Sequence, residues 1–172
     1  MKIAILGHSG SGKSTMAKTL GNLYHVPVLH LDTVKFLPGW VEREDDEARD
    51  IVAEFLNHDQ WVIDGNYTTY YQAERLEAAD QIILFDFPRH ICFYRGLKRY
   101  FKHRKQTRPD MAAGCLEKFD AEFAWWILHE GRTQARLNHF NDISQKYHHK
   151  LIVLKNPKQV EAFLASLNEK PA

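Results

Sequence analysis

Cysteine is nearly absent from this chain. Two occur in 172 residues, Cys92 and Cys115, far apart and in no C-x-x-C pair. That argues against a disulfide framework or a cysteine-held metal centre and suits a reducing compartment. Long apolar runs are missing too. None approaches 18 residues, so no membrane span is expected. The N-terminus enters a strand-like run directly, without a basic segment and a long apolar stretch behind it. A secretory signal is therefore not expected, and a cytoplasmic setting is the simple reading. Net charge is only +1 at pH 7, which gives no overall pull toward nucleic acid or membrane. Repeats, linkers and low-complexity tracts are absent. The ten histidines are scattered; His25 and the pair His148-His149 have no third partner at ligand spacing, so they read as surface or core residues.

What remains is an ordinary globular composition, 44% hydrophobic, at a length suited to one domain over residues 1–172. Short apolar runs at 2–6 ("KIAIL"), 26–30 ("VPVLH"), 61–64 ("WVID"), 82–87 ("IILFDF") and 151–154 ("LIVL") alternate with helical patterns. Strands apolar on both faces point to a parallel sheet buried between helices. Helices are predicted after Lys13, at about 43–57, at about 88–102 beginning with Pro88, at about 116–147 weakened by Gly131, and at about 157–167. The fold class is α/β, a three-layer arrangement around a five-stranded parallel sheet.

The most informative stretch is "GHSGSGKST", residues 7–15. Gly7, four residues, then Gly12, Lys13 and Ser14 make the G-x-x-x-x-G-K-[ST] pattern of a phosphate-binding loop (P-loop, Walker A). Its glycines permit backbone angles that turn successive N–H groups inward around an anion. The partly positive start of the next helix faces the same point. Gly7, His8, Ser9, Gly10, Ser11, Gly12, Lys13, Ser14 and Thr15 are accordingly the expected nucleotide-binding residues. Lys13 reaches the outer phosphates, Ser14 ligates magnesium and Thr15 bonds a phosphate.

Ligands of such sheets bind beyond the carboxyl ends of the strands. The second strand runs into "LHLDT" with Asp32, the third into "WVIDGNY" with Asp64, and the fourth into "LFDFPR" with Asp86 and Arg89. A carboxylate beside a phosphate loop makes electrostatic sense with a cation between them, and magnesium supplies one. Asp64 is therefore expected to serve magnesium together with Ser14. Asp32 suits a general base or an acceptor contact, and Asp86 reads as a cap of the Pro88 helix. From Arg89 to Arg108 eight Lys and Arg residues occur without one acid, a repulsion that a polyphosphate would relieve. Arg95 and Arg99 share one helix face at a spacing of four, as do Arg132 and Arg136. Of the four tryptophans, Trp40 stands out because it follows Pro38-Gly39 where an aromatic face could meet a substrate.

These parts, in this order, resemble the P-loop small-molecule kinases of the adenylate, shikimate and gluconate kinase group. "VLHLD" resembles the second-strand end where shikimate kinases carry an acceptor-contacting aspartate. "WVIDG" resembles the adenylate kinase segment whose aspartate holds magnesium through water. "RHICFYRGLKR" resembles the arginine pair that opens their lid, and "VLKNPKQVEAFL" the C-terminal strand and loop that touch adenine, here with Asn156 and Pro157. Nearly the whole chain also resembles the bacterial DNA topology modulation (adenylate kinase-related) proteins in "LD…PGW", "IDGNY", "D.PR…R…R" and "RPDMA…C.E.F…F..W".

The resemblance implies the P-loop fold with strand order 2-3-1-4-5, an acceptor-side segment at about 32–60 and a helical lid at about 100–132. It implies ATP and Mg2+ as cofactors and phosphoryl transfer to a small-molecule acceptor. Lys13, Asp32, Arg95, Arg99, Arg132 and Arg136 are then the catalytic candidates, in a monomer or homodimer. The chain departs from adenylate kinases where Asn66-Tyr67-Thr68 follows Asp-Gly. It departs again in "TVKFLPGW", which offers Lys35 where they carry an arginine. Both AMP-gripping arginines are thus missing from their places. The alternative is a P-loop ATPase whose basic 89–108 stretch grips nucleic acid, although signatures of common nucleic-acid folds are absent.

Overall fold

Residues 1–108 and 110–168 are described by the computed structural model. Five parallel strands form the sheet: β1 (Lys2–Gly7), β2 (Val28–His30), β5 (Trp61–Asp64), β6 (Gln81–Phe85) and β7 (Leu151–Leu154). Between β2 and β5 a two-residue antiparallel hairpin, β3 (Phe36–Leu37) and β4 (Val41–Glu42), stands apart from the sheet. The sheet order is β2-β5-β1-β6-β7. Counting only its own five strands, this is the expected order 2-3-1-4-5. The helices are α1 (Lys13–Tyr24), α2 (Leu31–Lys35), α3 (Asp45–Leu56), α4 (Gln72–Ala78), α5 (Arg89–His103), α6 (Ala121–Leu128), α7 (Gln134–Lys146) and α8 (Pro157–Asn168). No helix among the described residues is long and apolar enough to cross a membrane.

Side-chain alternation builds both cores. In β1, Ile3 and Ile5 join one buried cluster with Met16, Leu20 and Phe85. Ala4 and Leu6 join the other with Leu31, Val52 and Trp61. Period-two alternation with both sides apolar is how a strand lies between two helical layers. Each fully buried Ile or Leu contributes roughly 2 kcal/mol.

The predicted long helix at 116–147 is in fact interrupted. Residues 116–120 are not helical, α6 ends at Leu128, and a single 3-10 turn, Glu130–Arg132, leads into α7. Gly131 explains the break: a Cβ there would stand 2.8 Å from the Trp126 carbonyl oxygen. Asp86 does not cap α5. Pro88 is the N-cap, without a side-chain bond, and Asp86 instead faces His8 Nε2 at 3.5 Å.

A buried cation organises the turn after β5. Arg75 of α4 is fully buried. It donates to the carbonyls of Tyr70 (2.8 Å), Gly65 (3.3 Å) and Tyr67 (2.8 Å). Burial pulls its pKa down to about 10, so the guanidinium remains charged at neutral pH. No sequence motif marks this residue, because its partners are main-chain oxygens. Replacing Arg75 by Ala leaves these buried carbonyls without donors, at about 1 to 3 kcal/mol each. Urea unfolding of Arg75→Ala should show a loss of about 3 kcal/mol or more, and Arg75→Lys should not recover it, since an ammonium lacks the planar fork.

Candidate functional site

The glycine-rich loop follows the central strand β1, where strand order reverses and a crevice opens. Gly7 has φ 138°, and a Cβ there would lie 2.4 Å from the Phe85 carbonyl oxygen. Gly12 has φ 105° and caps α1; a Cβ there would stand 2.7 Å from Arg95 Nη2. Glycine is thus required at both places, by backbone angle and by close approach. The Gly12 contact also puts the Arg95 guanidinium directly over the loop.

Asn66 fixes the loop from below. Its Oδ1 accepts from Gly7 N at 3.0 Å and its Nδ2 donates to Gly7 O at 2.8 Å. One amide side chain thereby holds both polar groups of Gly7. Gln72 Nε2 donates to Asn66 O at 2.8 Å, and Arg75 braces the carbonyls on either side. Asn66, read from sequence only as the start of the Asn66-Tyr67-Thr68 departure from the adenylate kinase pattern, is here structural support for the loop.

Lys13 folds across the loop and its Nζ donates to His8 O at 3.1 Å. Desolvation pushes its ammonium pKa down, opposed by the charges of Asp32 and Asp64. Ser14 Oγ donates to Asp64 Oδ2 at 2.9 Å. The other Asp64 oxygen accepts from His30 Nδ1 in a very short contact. Burial alone would lower the His30 pKa, but the bond and charge of Asp64 outweigh it and hold it above the ordinary value. Ser14 and Asp64 present hard oxygen donors beside the phosphate loop, a set that fits magnesium completed by phosphate and water oxygens. Among the described residues no cluster of three or more His, Cys, Asp or Glu could hold a metal by itself.

Across the crevice, Tyr67 OH donates to Asp32 Oδ1 at 2.8 Å. Burial, then the Asp32 charge, drives the phenol pKa far upward. Tyr67 stays protonated and leaves Asp32 its second oxygen. Lys35 pairs with Glu42 at 2.9 Å and Asp45 at 3.6 Å.

Segment 104–120, between α5 and α6, carries its own ion network. Buried Glu117 accepts from Arg99 Nε at 2.7 Å and from Arg108 Nε, and Arg108 also pairs with Asp110. The acids that balance the basic run lie just beyond it in sequence. This segment touches the hairpin: Trp40 Nε1 donates to Leu116 O at 3.0 Å and Cys115 Sγ to Leu37 O at 3.3 Å. From α6, Trp126 Nε1 donates to Ser9 Oγ at 3.1 Å, and the Arg136 guanidinium lies 4.6 Å from the Trp126 ring centre.

Together these groups line one cleft of about 1360 Å³. His8, Ser9, Gly10, Gly12, Lys13, Ser14 and Thr15 line it, with Asp32, Asp64, Arg95, Arg99, Arg136 and Pro157. Gly7 and Ser11 are buried behind the loop. Arg132 is not among the lining residues; its Nη2 donates to Phe87 O at 2.6 Å and meets Cys92 Sγ at 3.3 Å. Asn156 does not line the cleft either, and its side chain accepts from Gln159 N at 3.0 Å as a cap of α8. His30, Asn66, Tyr67, Glu117 and Trp126 join the site as well. Each lies in a stretch that carries the family resemblance, in "VLHLD", "IDGNY", "C.E.F" and "F..W", but the motifs alone gave none of them a role in the site.

No protein-family model matches the chain. It is similar to two curated proteins named adenylate kinase, from two strains of Clostridium kluyveri. Each is 28% identical over 123 residues, covering 55% of this chain and 57% of its own. The match therefore spans little more than half the length of these relatives. Among solved structures, the chain is similar to a shikimate kinase from Bacteroides thetaiotaomicron, with a TM-score of 0.48, 17% identity and coverage of 98% and 97%. An uncharacterized protein from Eubacterium ventriosum has a TM-score of 0.47 and 12% identity, with coverage of 99% of each chain. In sequence, the likeness is to these proteins named adenylate kinase. The narrower likeness to the topology modulation proteins rests on motifs alone.

Trp126 offers a direct readout of loop occupancy, because a ligand reaching Ser9 alters the environment of the indole N–H. Titration with ATP and magnesium should change tryptophan emission, and Trp126→Phe should lose most of that change. Followed calorimetrically, Asn66→Ala should bind ATP at least about tenfold more weakly, the loss of one to two hydrogen bonds that orient the loop.

Proposed function

We propose that the protein transfers the terminal phosphoryl group of ATP to a hydroxyl of a small-molecule acceptor, in the cytoplasm. One observation carries this reading: the same cleft holds a wound phosphate loop with a Ser14–Asp64 oxygen pair and, facing it, an Asp32 carboxylate with one oxygen left by Tyr67. Similarity to proteins named adenylate kinase supports phosphoryl transfer as the reaction class.

The donor side follows from charge. Loop N–H groups and Lys13 hold the phosphate chain, and Arg95 over Gly12 faces its outer part. Ser14 and Asp64 would hold magnesium, which when bound neutralises the phosphate oxygens. On the acceptor side, Asp32 takes the hydroxyl proton as the oxygen bonds to the terminal phosphorus. The bond from that phosphorus to the bridging oxygen breaks, and ADP leaves with the electron pair. Arg95 stabilises charge on the moving group, Arg99 lines the cleft with its Nε on Glu117, and Arg136 stands near through Trp126. Asn156 and Pro157 flank the place where the C-terminal loop would meet the base, and Pro157 lines the cleft.

Both arginines that grip AMP in adenylate kinases are missing here, and a carboxylate near the reacting oxygen opposes a phosphate acceptor. Of the basic run, Arg95, Lys98, Arg99, Lys102 and Arg108 line the cleft, which favours a role inside it over a nucleic-acid surface.

Two substitutions test this reading. Lys13→Ala should lower ATP-dependent turnover roughly 100-fold or more, through loss of a charge on the outer phosphates. Asp32→Asn should cost about 100-fold or more in turnover with near-normal ATP binding, as expected for loss of a general base. The measurement is ADP release against a panel of acceptors, with a no-acceptor control. Conversion of AMP at a rate like that of an ordinary adenylate kinase would count against the hydroxyl assignment.

A further inference from the structure

We infer that the acceptor is an uncharged, ring-bearing hydroxyl compound of the nucleoside kind, and that the wall formed by Phe36, Trp40 and Tyr67 recognises its ring. This rests on the phosphoryl-transfer reading and names the chemical class of its acceptor.

The first argument is the division of charge in the cleft. On the hairpin side, cations already have partners. Lys35 is held by Glu42 and Asp45, and Lys118 pairs with Asp120 at 3.6 Å and lies 5.1 Å from the Trp40 ring centre. Arg108 and Arg99 meet at Glu117, and Arg108 reaches Asp110 as well. Among the described residues, the cleft cations in no ion pair are Lys13, Arg95 and Arg136 near the loop, and Lys98 and Lys102 exposed along α5. An acceptor phosphate beside Asp32 would meet that carboxylate's charge, and on the hairpin side it would compete with existing pairs for a cation. An uncharged acceptor meets neither cost.

The second argument is the wall itself. Phe36, Trp40, Tyr67 and Met111 line the same cleft as Asp32, and Tyr67 bonds it directly. Phe36 and Trp40 pack edge to face with centroids 5.2 Å apart. Trp40 has φ 65°, a conformation that costs a bulky residue energy and persists where the surroundings impose it. Its N–H on Leu116 O supplies that restraint and fixes the indole between the hairpin and the segment above. Flat apolar surface beside a hydroxyl-directed carboxylate suits a planar ring attached to an alcohol.

The third argument is size. At about 1360 Å³ the cleft exceeds the roughly 300 to 1,000 Å³ usual for one small ligand. It has room for a nucleotide donor and a second compound of comparable dimensions.

Calorimetry on the protein saturated with magnesium and a non-hydrolysable ATP analogue tests this. The probes are the common nucleosides, their 5′-monophosphates, and ribose. At least one nucleoside should bind tenfold or more tightly than its own monophosphate and than ribose. Trp40→Leu should weaken that nucleoside fivefold or more while the ATP analogue keeps its affinity; Phe36→Leu, on the same wall, gives the second variant should the first misfold. Tighter binding of the monophosphates, lost in Lys98→Ala with Lys102→Ala, would overturn the inference by showing that α5 holds an acceptor phosphate. Equal binding of ribose would overturn the ring, and no binding of any nucleoside would overturn the class. Failure of the ATP analogue to bind would overturn the donor reading, and this inference with it.

Discussion

The carboxylate of Asp64 is the constraint on which the site depends. It ends a strand buried on both faces and sits between a loop hydroxyl and an imidazole. A buried carboxylate is tolerated only with partners, and its two oxygens are directed to two different elements. One reaches the first turn of α1, the other the end of β2. The register that pairs His30 with Asp64 thus also sets how Ser14 is presented. The glycine-rich loop, the first turn of α1 and the start of α2 share one reference point.

Around it, the cleft separates its charges rather than balancing them evenly. Among the described residues, Lys13, Arg95 and Arg136 lie near the loop in no ion pair, where a phosphate chain would supply the missing negative charge. The cations toward the hairpin are neutralised within the protein. Glu117 is central to that arrangement, since it is buried and engages Arg99 of α5 and Arg108 of the segment itself. Removing one member of such a network leaves the rest buried without compensation. The described residues of segment 104–120 are therefore tied together by ion pairs, although none of them is helical.

The fold was legible because its signals are local and strong. Apolar runs of four to six residues separated by helical patterns announce a parallel sheet, and the glycine spacing announces the loop. The site was legible in its donor half, where residue spacing itself is the chemistry. Its support was not. Arg75 and Asn66 act on main-chain groups remote in sequence, and nothing in a polar residue's identity says which carbonyl it meets. Arg99 and Arg136 line the cleft, whereas Arg132 is drawn to Phe87 O and Cys92. Arg132 and Arg136 do not share a helix face as their spacing suggested, because Arg132 ends the 3-10 turn before α7 and only Arg136 belongs to that helix. The break at Gly131 was half visible: glycine weakens a helix, but only the close Trp126 carbonyl explains why this one ends there.

The paired bonds from Asn66 to Gly7 have a consequence for time as well as for shape. A loop clasped at both main-chain polar groups of its first residue is wound before any nucleotide arrives. Its ordering entropy is charged to folding of the chain and does not recur at each encounter. Capture is then governed by diffusion and by the field of the free cations near the loop. Nucleotides that differ in their outer phosphates would enter at similar rates and be told apart by how long they stay.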